Sequence, residues 1–173
     1  IARSNDATVI RSERGRGRQL KAGADLAKGD WLLFLHADTC LASTWLHEVS
    51  GFARQVSNAE RMAAFRLGLD DRSPAARRLE RMVGWRCRWL RLPYGDQGLL
   101  VKRSMYFDVG GYRAMPFLED VDLLRRLGRD RVVMFDTVAT TSSERHRRSG
   151  YLRQGLRNIL LVVLFYVGVS PER

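Results

Sequence analysis

The sequence predicts an α/β domain built on a mostly parallel sheet, and three observations predict it. Short apolar runs of strand length alternate with longer segments of helical period. One run, Trp31-Leu32-Leu33-Phe34-Leu35, is apolar at every position, the pattern of a central strand covered on both faces. Polar clusters follow the strands directly, and ligands sit at strand ends in open α/β sheets.

Taken in order, Val9-Ile10 reads as a short extended segment, interrupted by Gly15 and Gly17 before a helix over Gln19 to Ala27. Gly29-Asp30 closes that helix and the Trp31 to Leu35 strand follows. Ser43 is placed to cap a helix through Trp45, Leu46, Val49 and Phe52. Ala63 to Asp70 alternates with period two and predicts a half-buried strand. Pro74 to Leu92 has helical period, is rich in arginine and sets Trp85 and Trp89 four residues apart. Pro93 to Gly98 reads as a loop, Leu99 to Val101 as a short strand, and Ser104 to Val109 as a short helix stopped by Gly110-Gly111. A helix opens at Leu118-Glu119-Asp120 and runs through Leu127, its carboxylates in the first turn where the macrodipole favours them. Val132 to Phe135 is the last strand. After a polar segment, Thr140 to Ser149, a final helix spans Tyr151 to Val167.

Composition narrows the function classes. The chain has 173 residues, 45% hydrophobic and 28% charged, which fits one folded domain and excludes disorder as the main state. Its 30 Lys+Arg against 19 Asp+Glu give a net charge of +11, and all the cations but Lys21, Lys28 and Lys102 are arginine. Such a surface suits phosphate groups, an anionic membrane or nucleic acid. Two cysteines, Cys40 and Cys87, match no metal-ligand spacing and make a disulfide scaffold a poor expectation, so a reducing compartment is the simpler reading. No apolar leader segment opens the sequence, and cytoplasmic residence is the default expectation. The longest apolar run, Ile159 to Val169, is shorter than the roughly 20 residues that span a bilayer.

Four polar clusters are candidates for chemistry. Asp38, in His36-Ala37-Asp38-Thr39 after a strand, is placed to hold a divalent cation against a diphosphate, or simply to cap a turn. Glu119 and Asp120 are placed to take a proton from a hydroxyl nucleophile, or to serve as an ordinary acidic helix start. Asp96, with Gln97, lies in a glycine-flanked loop that lets backbone and ligand approach closely. Arg14, Arg16 and Arg18 with Gly15 and Gly17 precede a helix as a phosphate-contacting turn would, although the spacing matches no P-loop.

Jointly and in this order, these residues resemble the family 2 glycosyltransferases of GT-A fold, and a bacterial subgroup of them in particular. The resemblance rests on Gly15-Arg16-Gly17-Arg18-Gln19-Leu20, Leu35-His36-Ala37-Asp38-Thr39, Pro93-Tyr94-Gly95-Asp96-Gln97-Gly98 and Leu118-Glu119-Asp120-Val121. Gly110-Gly111-Tyr112 and Gly168-Val169-Ser170-Pro171 extend it, so that it covers about Arg14 to Arg173. It implies a three-layer α/β/α domain and a metal-assisted, inverting transfer from a nucleotide-diphospho-sugar donor to an acceptor hydroxyl. Asp120 matches the family's catalytic base, with Glu119 beside it. Asp38 matches the last aspartate of the family's DxD motif, which holds Mg²⁺ or Mn²⁺, and His36 stands at that motif's first position as a second metal-ligand candidate. Arg14, Arg18, Asp38, Asp96 and Gln97 are the expected donor-binding residues.

Family members begin with two further strands that bind the nucleotide. The expectation is therefore a catalytic core over residues 1 to 150 that lacks those strands and turns over poorly by itself. Residues 151 to 173 would form a basic, apolar helix packing on the core, on a partner or on a membrane surface. A lipid-linked acceptor, peripheral contact at the inner face of a membrane and a homo-oligomer remain open partners. The competing reading is a non-catalytic membrane-surface or anion-binding module, drawn from Ile159 to Val169 and from Arg145, Arg147, Arg148, Arg153 and Arg157. Nucleic acid ranks last, because the arginines are spread along the chain and no RNA-binding motif appears.

Overall fold

The computed structural model describes residues 7–168. Seven helices and five strands follow in the order α1 (Arg16–Leu26), β1 (Trp31–Phe34), β2 (Thr39–Leu41), α2 (Trp45–Arg54), β3 (Met62–Leu69), α3 (Pro74–Leu90), β4 (Leu99–Lys102), α4 (Arg103–Asp108), α5 (Glu119–Leu127), β5 (Val132–Thr141), α6 (Glu144–Ser149) and α7 (Tyr151–Tyr166). The strands form one sheet in the order β1-β4-β3-β5-β2.

Strand alternation builds three layers. Leu32, Met62, Leu99, Val101 and Val132 point to one face and pack with Ala24 of α1, Met105 and Tyr106 of α4, Val121 to Leu124 of α5 and Val162 of α7. Their sequence neighbours Ala63, Leu100, Phe135 and Ala139 point to the other face and pack with Phe52, Trp45 and Val49 of α2. The period of two thus sorts each strand between two cores.

The expected mostly parallel sheet is corrected to a mixed one. Only β3 and β5 pair in parallel, while β1/β4, β3/β4 and β2/β5 are antiparallel. The reason is where the chain re-enters the sheet. The Pro93–Gly98 loop returns to the end at which β1 stops, with Phe34 opposite Leu99, so β4 must run away from it. Strands β1, β3 and β5 still share one direction, and their carboxyl ends open on one rim.

Other expectations shift for local reasons. Val9-Ile10 pairs with no strand and stays exposed. Trp31 to Phe34 lies at an edge of the described sheet, and β3 is its centre, which is why β3 is buried on both faces and not half-buried. Helix α2 begins after Thr44, whose hydroxyl bonds Thr137 Oγ1 at 2.8 Å, and Ser43 does not cap it. The last strand runs on to Thr141 and α6 follows, where a polar segment was expected. Strand β2, three residues long, is too short for its pattern to announce it. The final helix docks through Val162 and Phe165, and the residues from Val169 onward lie outside those described.

Between Ala64 and Arg66 the β3/β5 register shifts, because β5 carries extra residues there. The freed amides of Asp136 and Thr137 donate to the Glu48 carboxylate of α2 at 3.0 and 2.9 Å. An irregularity in the sheet is thus satisfied from the helix layer above it.

Helix α1 is seated by a glycine. Gly17 is buried, and a Cβ there would overlap the Arg113 carbonyl oxygen and reach within 3.5 Å of Glu119. Gly23, two turns on, has nothing within 4 Å of an added Cβ. Gly17→Ala is expected to lower stability by about 1–3 kcal/mol through overpacking. Gly23→Ala is expected to raise it by about 0.5–1 kcal/mol through helix propensity. Urea unfolding monitored by circular dichroism compares the two, and equal effects would count against this packing of α1.

Candidate functional site

The shared rim of β1, β3 and β5 holds a cleft of about 810 Å³. Its wall is drawn largely from five places: Arg16, Gln19 and Leu20 of α1, Leu35 to Asp38 after β1, Tyr94 to Asp96 before β4, Phe117, Leu118 and Asp120 around the start of α5, and Gln154, Arg157, Asn158, Leu161 and Val162 of α7. Thr141 and Ser142, at the end of β5, complete it.

Asp120 lies where these elements meet. Its Oδ2 accepts the Gly95 N–H at 2.7 Å and its Oδ1 accepts the Val121 N–H at 2.8 Å. The preceding Leu118 takes the left-handed conformation, φ 62°, to swing the chain into α5. Such a residue costs about 1–3 kcal/mol and persists only where its surroundings enforce it. The Leu118 carbonyl accepts the Asp122 N–H at 2.9 Å, and Asp122 in turn binds Arg126 at 2.7 Å, which donates to the carbonyls of Val109 and Gly111 at 2.6 and 2.7 Å.

Arg16 faces Asp120 across the cleft wall. Its guanidinium donates to the His36 ring, 2.5 Å to Nε2, and its Nε lies 3.3 Å from Glu119 Oε1. Glu119 is only 2% exposed, beneath Arg16, and does not line the cleft. Burial, reinforced by the neighbouring Asp120, pushes its carboxyl above the ordinary glutamate value, while Arg16 pulls the other way. Glu119 therefore positions a cation.

Asp96 stands in a single 3-10 turn over Gly95–Gln97 and lines the cleft. Its Oδ1 is enclosed and accepts no hydrogen bond. Burial pushes its pKa up to about 6, opposed by the Arg86 charge and aided by Asp120. Gln97 is 1% exposed and turned inward. Its amide donates to the Phe65 carbonyl at 2.9 Å, and its Oε1 accepts from Arg86 at 3.1 Å and from the Tyr94 N–H at 3.3 Å. Arg86 also lies over the Tyr94 ring, 3.5 Å from its centre. Gln97 thus pins the loop and is not itself available to a ligand.

Asp38 is exposed on the cleft wall, its carbonyl accepting the Ser142 N–H at 3.2 Å. Asp38 would hold Mg²⁺ or Mn²⁺ as a single carboxylate beside the donor's own phosphate oxygens, an arrangement that needs no all-protein cage. Among the described residues no three His, Cys, Asp or Glu side chains gather as metal ligands. The His36 ring, expected beside Asp38 as a ligand, is engaged by a guanidinium instead.

The structure therefore gathers Asp38, His36, Asp96 and Asp120 at one cleft, with Glu119 and Gln97 as buried supports. It does not bring in Arg14 or Arg18: Arg18 pairs with Glu13, and neither lines the cleft. Of the three arginines in the expected phosphate-contacting turn, the one that lines the cleft is Arg16, which is not among the two expected to bind the donor. The signal was helical phase. Once α1 begins at Arg16, Arg16 and Leu20 share a face and Arg18 points about 200° away. Arg157, on α7, was read as part of a basic surface and proves to line the same cleft.

A search of the curated proteins finds no match. Among solved structures the fold matches the crystal structure of mannosyl-3-phosphoglycerate synthase from Rubrobacter xylanophilus, at a TM-score of 0.51 and 15% sequence identity. The match covers 92% of this chain and 54% of that one, so the chain spans about half the length of its structural relative. That likeness supports the GT-A fold. The sequence profile of Glycosyl transferase family 2 matches residues 1–118, and the chain belongs to that family.

Proposed function

We propose that this cleft transfers a sugar from a nucleotide-diphospho-sugar donor to an acceptor hydroxyl, with inversion at the anomeric carbon. The observation that carries the reading is Asp120, held by two backbone N–H groups on the cleft floor and facing a wall with the Arg16 and Arg157 guanidinium groups.

The chemistry follows from those charges. The acceptor hydroxyl gives its proton to an Asp120 oxygen as its own oxygen attacks the anomeric carbon. The bond from that carbon to the donor's phosphate oxygen breaks with its electron pair, and a nucleoside diphosphate leaves. In-line attack on one face inverts the centre, and no covalent enzyme intermediate forms. Arg16 and Arg157 meet the charge that develops on the leaving diphosphate, which makes a strong general acid unnecessary. Glu119 and His36 hold Arg16 in place, and Asp38 and Asp96 offer carboxylate oxygens to sugar or ribose hydroxyls. A divalent cation, when bound, would be held by Asp38 and would neutralise charge on the donor diphosphate. For the acceptor we favour a lipid-linked carrier, supported by the exposed apolar residues Ile159, Leu160 and Val163 on the helix that also lines the cleft.

Asp120→Asn is expected to lower transfer about 10²–10⁴-fold while leaving nucleoside diphosphate affinity unchanged. A radiolabelled-sugar assay beside calorimetry with UDP and GDP reads both, and full activity in the variant would remove Asp120 from the mechanism. Arg16→Gln is expected to weaken diphosphate binding about tenfold to a hundredfold, the worth of one hydrogen bond between charged groups. Unaltered calorimetric affinity would place the diphosphate elsewhere.

Asp96 gives a pH dependence of definite sign. Its folded pKa of about 6 lies above the ordinary aspartate value of 3.8, so the folded chain holds more protons between those values. Stability therefore falls as pH rises through that window and levels off above it. Asp96→Asn is expected to be more stable than the parent above pH 6 by on the order of 1–3 kcal/mol, with the gap closing near pH 4. Urea midpoints measured across that range test this, and a gap that widens on acidification would contradict it.

A further inference from the structure

The outer face of α3 presents an arrangement the cleft does not use. Met82, Trp85 and Trp89 follow one another at helical spacing and are 56%, 61% and 67% exposed, and Leu90 beside them is 50% exposed. Arg78, Arg81 and Arg88 flank that stripe, all exposed, and none is in an ion pair among the described residues. The helix has one carboxylate, Glu80, and it is turned inward, accepting the Leu69 N–H at 2.8 Å. The outer face therefore carries indole rings and positive charge with no negative charge.

We infer that this face docks on an anionic lipid bilayer. Indole rings suit the boundary between headgroups and acyl chains, and each flanking arginine near an anionic surface contributes about 1 kcal/mol. Helix α7, which packs beside α3, adds exposed aliphatic residues at Ile159, Leu160, Val163 and Leu164. Such a broad aliphatic surface fits lipid better than the phosphates and bases of a nucleic acid. A second copy of the chain is a poor occupant, since self-pairing would bring the arginines of two +11 chains together.

Docking through α3 also has a geometric consequence. The same helix braces the cleft from its inner face, where Arg86 lies over Tyr94 and Cys87 contacts Gln97 at 3.3 Å. The cleft then stands about one helix diameter, ~10 Å, from the bilayer surface, within reach of an acceptor whose anchor stays in the membrane. The inference extends the proposed function, but its test reads membrane binding and not transfer, so either can fail alone.

Vesicles of phosphatidylcholine with phosphatidylglycerol, and of phosphatidylcholine alone, are floated with the full chain. Binding is expected to the anionic vesicles only and to weaken with salt. Replacing Arg78, Arg81 and Arg88 together by Gln is expected to reduce partitioning about a hundredfold, and the double variant Trp85→Ala, Trp89→Ala to abolish flotation with an unaltered circular dichroism spectrum. Brominated phosphatidylcholine mixed into the anionic vesicles is expected to quench tryptophan fluorescence of the unmodified chain, a readout that needs no variant. Failure to float, flotation unaffected by either variant, or absence of quenching would overturn the inference. So would sedimentation showing that the tryptophan variant dissociates a dimer, or a salt-sensitive oligonucleotide complex in place of vesicle binding.

Discussion

The close approach of Gly95 to Asp120 and His36 is the constraint on which the site depends. The Gly95 N–H donates to Asp120 at 2.7 Å, and a Cβ on Gly95 would stand 2.8 Å from His36 Nε2. No left-handed backbone is required at this glycine; the need is for space alone. Three segments distant in sequence, after β1, before β4 and at the start of α5, can meet only because that position is bare. Arg16 closes the group from a fourth, α1, through His36 and Glu119. Glycine is therefore less a flexible joint here than a contact surface.

The sheet direction explains why these segments share a rim at all. With β1, β3 and β5 aligned and β4 inserted against them, the ends of three strands and the beginning of a fourth fall on one side. Each contributes a polar loop, and the two hydrophobic clusters lie below, one on each sheet face. The Glu48 bonds to the β5 irregularity keep that strand in the sheet as far as Thr141, which joins the cleft wall.

Much of this was legible in the sequence, and what was not has a physical cause. Apolar runs announce β1, β4 and β5 and alternation announces β3, and the carboxylates Asp38, Asp96 and Asp120 stand out because they follow or precede apolar runs. Alternation carries no information about neighbours, so β4 could not be seen to enter antiparallel, nor β1 to lie at an edge. Burial of polar groups is equally silent. Gln97 is expected to bind the donor and Glu119 to act beside Asp120, yet they are 1% and 2% exposed and contact the loop and Arg16. In a tightly packed site the residues that position the chemistry have the same polarity as those that perform it, and only depth separates them.

Depth also divides the cleft carboxylates. Asp120 has a backbone donor on each oxygen, Gly95 N–H on Oδ2 and Val121 N–H on Oδ1, which fixes the plane of its carboxylate. Asp96, with Oδ1 enclosed and without a partner, gives up its charge near pH 6. A diphosphate entering beside them adds negative charge, and that charge falls most heavily on the carboxylate with the poorest support. Two aspartates that line one cleft are thus set apart by their hydrogen-bond partners: each oxygen of Asp120 holds a backbone N–H, while Oδ1 of Asp96 is enclosed without one.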